Sequence, residues 1–344
     1  MSHELALVVT DILTDHCTPE RLAAAEGGID RSLFTVLDSS GFLELGIDEA
    51  SGGSGGTLSD VVTVARLAGE YAAPAPVGEA LLARWLLTTA GLERPEGIVT
   101  AASGEVSGAP TGGWWRISGV LPRAGYARGA DHVAGVAEVD ADRLVFVLPV
   151  AAATVCPGAN LAGEPRDRVE VSAERIQAAL VPASVATEFE LRARLTRAAM
   201  IGGALDRALA LVVGYANQRR QFGRPISAFQ AVQQQVALAA GEATAVRAAV
   251  EAAAKILDRD LVSAVLAVNA AKVRASQAAG VVAAIAHQVH GAIGITYEHS
   301  LRFATTRLWS WRDEEGAVAV GARAITATAL ASEPNGLWPL VVGV

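Results

Sequence analysis

YANQRRQFGRPISAFQ, residues 215–230, decides how this chain is read. A helix runs into Arg219 and Arg220, the Gly223-Arg224-Pro225 break stops it, and a new helix begins after Phe229, at Gln230. Arginines at a helix terminus beside the aromatic Phe222 make a fork for a phosphate or pyrophosphate. The same arginines could equally be a solvated run complementing the negative end of a helix. Spacing alone leaves the two readings level.

Outward from this stretch the texture divides the chain in three. From Glu188 onward Ala dominates and Pro and Gly thin out, which predicts long helices. Val232, Val236, Val246 and Val250 fall in pairs four apart, with Ala239, Ala243 and Ala253 between them, a stripe that lets helices approach closely. Asp258 and Asp260 stand where a cap would start the next helix, which runs toward Ala292. Upstream, from about Gly97 to 185, short β-like runs bounded by Gly, Asp or Pro appear at 114–117, 132–136, 143–148 and 169–171. Before them, segments near 2–16, 30–41, 57–71 and 76–91 carry apolar residues at helical spacing. The glycine-rich break at 50–56 has no apolar strand before it and no Gly-Lys-Ser/Thr after it, so an ordinary interhelical loop is expected. The expected class is α+β, mostly α: a helical domain over 1–95, a β domain over 96–185 and a helical bundle over 186–344.

Composition narrows the function. The chain has 344 residues, with 28 basic against 36 acidic, for a net charge of −8. A nucleic-acid protein would show a basic excess instead. The 2 cysteines, Cys17 and Cys156, have no partner spacing for zinc or a disulfide framework, so a reducing compartment and no metal site are expected. Glu4 and Asp11 interrupt the N-terminal apolar stretch, and the uncharged runs 144–163 and 277–297 contain Pro or His and Gln. A cytoplasmic protein without an export signal or lipid-facing span is expected.

Two more clusters carry chemistry. In QVHGAIGI, residues 288–295, Gly291 and Gly294 can expose backbone amides at a helix end and Gln288 offers its amide, while His290 reads as a structural histidine. In RDEEGA, residues 312–317, carboxylates stand just before a helix start, as caps or as a general base at the mouth of a pocket.

Together these motifs resemble the acyl-CoA dehydrogenase family of flavoenzymes over almost the whole chain. Asp38 through Gly46, the glycine loop and Ala65 through Pro76 look like its N-terminal helical domain. Arg219-x-x-Phe222-Gly223 with Gln230 is similar to its most specific motif, Gln288-x-x-Gly291-x-x-Gly294 to its FAD motif, and Glu315-Gly316 follows at the usual interval. The resemblance implies a middle β-barrel-like domain and a C-terminal four-helix bundle. It also implies FAD-dependent α,β-dehydrogenation of an acyl-CoA thioester, with electron-transfer flavoprotein among the acceptors.

By position Glu315 would be the α-proton base, facing an apolar thioester pocket that raises its pKa, with Glu314 as competitor. Some members place the base earlier, where this chain has Ala193; the adjacent Arg194 matches the family's substrate-side Arg. Arg219, Phe222, Gln230, Gln288 and Gly291 would reach the pyrophosphate and adenosine of a neighbouring subunit's FAD. The family's Thr-Glu-x-x-x-Gly-Ser-Asp and Trp-Ile-Thr/Ser stretches are missing. Aligning Ile117-Ser118-Gly119 puts Arg123 at the Trp position and Gly125 at the hydroxyl position, while Ala292 and Ala317 replace a Gly and a Thr/Ser. The set implies one subunit of a heteromeric enzyme with a homologous partner, like unequal actinobacterial pairs acting on steroid side-chain CoA thioesters. The alternatives are a homotetrameric enzyme with a divergent middle domain, acting on fatty acyl or steroid thioesters, and a catalytically silent structural subunit.

Overall fold

Local signals set the helices of the N-terminal stretch. In the computed structural model, which describes residues 2–140 and 142–331, these are α1 (Ser2–His16), α2 (Pro19–Ala24), α3 (Arg31–Ser39), α4 (Leu58–Glu70) and α5 (Val77–Thr89). Thr18 caps α2, with Pro19 in its first turn, where a missing amide proton costs nothing. The Asp30 carboxylate accepts the Leu33 amide at 3.0 Å to start α3, which buries Leu33, Phe34 and Leu37 at helical spacing. Residues 332–344, the end of the expected bundle, lie outside the described residues.

Seven strands follow: β1 (Val99–Ala101), β2 (Glu105–Thr111), β3 (Trp114–Gly125), β4 (His132–Val139), β5 (Asp142–Pro149), β6 (Thr154–Cys156) and β7 (Arg166–Val181). The sheet runs β4-β2-β3-β7-β5, and β5 pairs back onto β4, so the strands close into a barrel. Closure between β2 and β4 rests on the parallel pair Ser107 and Glu138, while the other pairings of the ring are antiparallel. Strand alternation divides β5 cleanly. Leu144, Phe146 and Leu148 fill the barrel with Ile117, Leu121, Val169 and Val171, while Val145 and Val147 face outward onto Trp85, Leu86 and Leu87 of α5. Because α5 packs on the barrel, the N-terminal helices and the strands form one unit, Met1–Val64 with Ala73–Ala193.

The second unit comprises Ala65–Ala72 and Arg194–Val344. It holds most of α6 (Ala183–Gln218), then α7 (Gln230–Leu257), α8 (Leu261–His290), and two shorter helices on α8, α9 (Leu301–Trp311) and α10 (Val318–Ala331). Asp260 caps α8 through the amides of Val262 and Ser263, whereas Asp258 closes α7. Burial on α7 follows Ala239, Ala243, Val246, Val250 and Ala253; Val232 and Val236 of the expected stripe are only half-buried. Gly69 and Gly203 mark a backbone-to-backbone crossing, since a Cβ at Gly203 would lie 1.8 Å from the Arg66 carbonyl oxygen. α6 and the α8 segment are long and apolar enough to cross a membrane. On α8, however, the buried face includes Asn269, Lys272 and Ser276, each hydrogen-bonded within the protein, as a bundle core requires.

Candidate functional site

The arginine stretch is an ordered hairpin. α6 ends at Gln218, and the Arg219 amide donates to the Tyr215 carbonyl at 2.8 Å. Two short strands, β8 (Arg220–Gln221) and β9 (Arg224–Pro225), pair across Phe222 (φ 50°) and Gly223 (φ 78°), the left-handed pair that a two-residue hairpin loop requires. The Ile226 amide closes the hairpin on the Arg219 carbonyl at 2.8 Å. Arg219 and Gln230 are exposed, Phe222 is 91% exposed, and the Arg224 guanidinium lies 4.2 Å from the Phe229 ring centroid.

The glycine motif meets this hairpin's root. α8 ends at His290, Gln288 is exposed, and Gly291 turns left-handed (φ 63°) into a single 3₁₀ turn, Gly291–Ile295. The His290 ring stacks on Tyr215 with centroids 4.6 Å apart, one helical turn before Arg219, so the two motifs share an aromatic joint. His290 Nδ1 lies 2.7 Å from the Ala286 carbonyl oxygen, and burial above all holds its pKa below the ordinary value. Buried and stacked, it has the setting of the structural histidine that the sequence suggests; Tyr215 carried no separate signal. The donor set suits a pyrophosphate: Arg219, Gln230 and Gln288 present side-chain donors, and a Cβ at Gly223 or Gly291 would meet nothing within 4 Å, leaving the backbone open to close approach.

The carboxylate turn lies elsewhere, against α6 and α8. Glu314 is buried, with its Oε2 3.3 Å from an Arg197 guanidinium nitrogen, and Arg197 in turn lies over Trp311. Glu315 is exposed and sits in the left-handed region at φ 53°. The sequence expects this carboxylate to face an apolar thioester pocket; among the described residues it is exposed. The left-handed residue turns Glu315 outward, and the inward position goes to Glu314. Arg194 reaches the same turn: its Nε is 3.7 Å from where a Cβ on Gly316 would stand, and it donates to Asn269 Oδ1 at 3.5 Å. Ala193, at the alternative base position, is buried.

Lys272 of α8, which sequence reasoning missed, supports the turn from below. It is 3% exposed and donates to Ser276 Oγ at 2.9 Å, the Arg312 carbonyl at 3.0 Å and the Gly316 carbonyl at 3.2 Å. Burial first, then Arg197, push its ammonium from 10.5 down to about 8, against the pull of Glu315, Asp313 and Glu314. Between these values the unfolded chain keeps a proton that the folded chain has released, so unfolding free energy rises with pH. Relative to Lys272→Met, the native chain should gain up to about 3 kcal/mol as pH rises from about 8 to 10.5. Guanidinium unfolding at several pH values reads this difference, and a flat or falling difference would contradict it.

The β3 positions aligned with the family's ring contacts do not fit a flavin ring. Arg123 is exposed to solvent. A Cβ at Gly125 would stand 2.7 Å from Glu79 Oε1, and the Gly125 carbonyl already accepts the Thr100 hydroxyl at 2.6 Å. Glu79 belongs to a buried charge cluster with Arg166 at 4.0 Å, itself paired to Glu164 at 3.0 Å. These positions offer neither an indole nor a hydroxyl.

Comparisons with known proteins agree with this geometry. Residues 183–329 match the acyl-CoA dehydrogenase C-terminal domain. The acyl-CoA dehydrogenase IpdE2 of Mycobacterium tuberculosis is 31% identical over 301 residues, covering 85% of this chain and 86% of the relative. FadE27 of the same organism, also an acyl-CoA dehydrogenase, is 29% identical over 333 residues, covering 87% and 88%. A chain of the ChsE4–ChsE5 complex of M. tuberculosis superposes with a TM-score of 0.87 at 26% identity, over 96% of this chain and 98% of that one.

Proposed function

The chain belongs to the acyl-CoA dehydrogenase family, and from that premise we propose that it is one subunit of a heteromeric, FAD-dependent enzyme whose sites are completed by a homologous partner. One observation carries the reading. Arg194, a third of the way along α6 at the carboxylate turn, and Arg219, just past its C-terminal end at the hairpin, lie roughly 36 Å apart along the helix at about 1.5 Å per residue. That exceeds the reach of one extended flavin dinucleotide. The hairpin end therefore serves a cofactor other than the one at the carboxylate end, and such a cofactor sits with another chain.

Arg219, Gln230 and Gln288 would hold the pyrophosphate and adenosine of that neighbouring cofactor, with Gly291 giving close backbone approach. Exposed Phe222 on the hairpin, Ile293 and Ile295 on the 3₁₀ segment and Tyr297 just after it supply apolar contact surface beside these donors. At the carboxylate end, Glu315 takes the α proton, which the thioester carbonyl makes acidic, and Arg194 orients the acyl-CoA. Bound FAD supplies the acceptor for the β hydrogen. The poor fit at Arg123 and Gly125 assigns the ring's remaining contacts to the partner, which favours an unequal pair over a homotetramer. The similar ChsE4–ChsE5 chain is itself part of a two-protein complex, which supports the same arrangement.

Co-expression with a homologous chain encoded beside it tests the reading. Acyl-CoA-dependent dye reduction is expected from the co-purified pair and not from this chain by itself. Full activity of the isolated chain would overturn the heteromeric part.

A further inference from the structure

We infer that Lys272 is the positioning residue of the carboxylate turn, clamping both of its ends so that Glu315 keeps one direction. The inference rests on the reading of Glu315 as the α-proton base and extends it to a residue that touches no substrate.

The geometry is that of a clamp. An ammonium has three donors, and Lys272 has three acceptors within hydrogen-bond distance: Ser276 Oγ, the Arg312 carbonyl and the Gly316 carbonyl. The two carbonyls bracket Asp313, Glu314 and Glu315. Arg312 closes α9, so its carbonyl is among those a helix end leaves without an intrahelical partner. Ser276 donates to that carbonyl as well, at 2.9 Å, bracing it from one turn further along α8. Glu315 needs such bracing. It is a non-glycine residue at φ 53°, a conformation that persists only where its surroundings over-determine it.

Charge points the same way. Lys272 faces Asp313, Glu314 and Glu315 from the turn and Arg197 from α6, with Arg194 and Arg312 at the edges of the same turn. Among the acids of the turn Glu315 acts most strongly on the Lys272 ammonium, ahead of Asp313 and Glu314, and Glu314 also lies 3.3 Å from Arg197. A buried ammonium is costly on α8, and a methionine would fill its volume without the charge. Its presence beneath the base turn is explained by what it holds.

The test uses the assembled enzyme. In Lys272→Met, kcat should fall about tenfold to hundredfold with KM within about twofold, because a displaced general base loses alignment rather than substrate affinity. The acidic limb of the kcat profile should move to higher pH, since removal of a neighbouring positive charge makes the carboxylate easier to protonate. Hydrogen exchange at the amides of residues 313–317 should quicken by about tenfold or more. Ser276→Ala keeps the charge and loosens one strut, so it should quicken exchange while leaving the acidic limb in place. If Glu315→Gln disables the enzyme but Lys272→Met leaves kcat and the limb unmoved, the inference fails while the base assignment stands. If Glu315→Gln is silent, the base assignment fails, and unchanged exchange in Lys272→Met would then overturn the clamp too.

Discussion

Replacing Glu315 with Gln in the assembled enzyme should lower turnover by about three decades while flavin stays bound, the loss expected when a general base and its positioning vanish together. The substitution is nearly isosteric, and the side chain is exposed in this chain, so folding should survive. Glu314→Gln separates the competing carboxylate. It removes the partner of buried Arg197, and its effect should appear chiefly as lost stability, because half of a buried ion pair is then left uncompensated. Stopped-flow turnover and equilibrium unfolding of both variants make the comparison. A Glu315→Gln enzyme near the native rate would leave Glu315 structural and give the base to the partner.

Arg219→Ala should empty the cofactor from the complex without disturbing the bundle. A charge-assisted hydrogen bond to a pyrophosphate oxygen is worth about 1.5–3 kcal/mol, a tenfold to hundredfold loss of affinity. Arg219 is exposed, and its backbone amide and carbonyl make the hairpin's bonds, which the substitution keeps. Flavin retained after gel filtration, with thermal unfolding as the control for fold, reads the effect. Unchanged occupancy would make the arginines a solvated run, the other reading that spacing allowed.

Much of this architecture was legible because local chemistry and packing agree. The four expected N-terminal helices appear with similar bounds, and Asp260 caps the helix that its position announced. The run at 143–148, continuously apolar from Leu144 and bounded by Asp142 and Pro149, becomes β5. What stayed hidden lacked a local signature. β2 reads EVSGAPT, where a Gly and a Pro interrupt the pattern and Val106 is its fully buried residue, so only pairing with β3 makes it a strand. β1 and β6 have three residues each, too few to show a period. The barrel's closure through Ser107 and Glu138 is a long-range pairing that no local window contains.

The site divides similarly. Arg219, Gln230, Gln288, Gly291 and Glu315 were legible as motif members. Which of Glu314 and Glu315 turns inward was not, because one left-handed residue decides it. Lys272 did leave a trace. It lies four residues from Val268 and four from Ser276 on the buried stripe of α8, where a cation must find acceptors. Only the tertiary structure shows that those acceptors are the two ends of the Glu315 turn.

The most direct measurement is the FAD content of the purified chain by itself beside that of its complex with a homologous partner. The isolated chain should hold essentially no flavin, and the complex should retain it through gel filtration. An isolated chain that self-assembles and binds FAD in equimolar amount would contradict a partner-completed cofactor site and establish a homo-oligomeric enzyme instead.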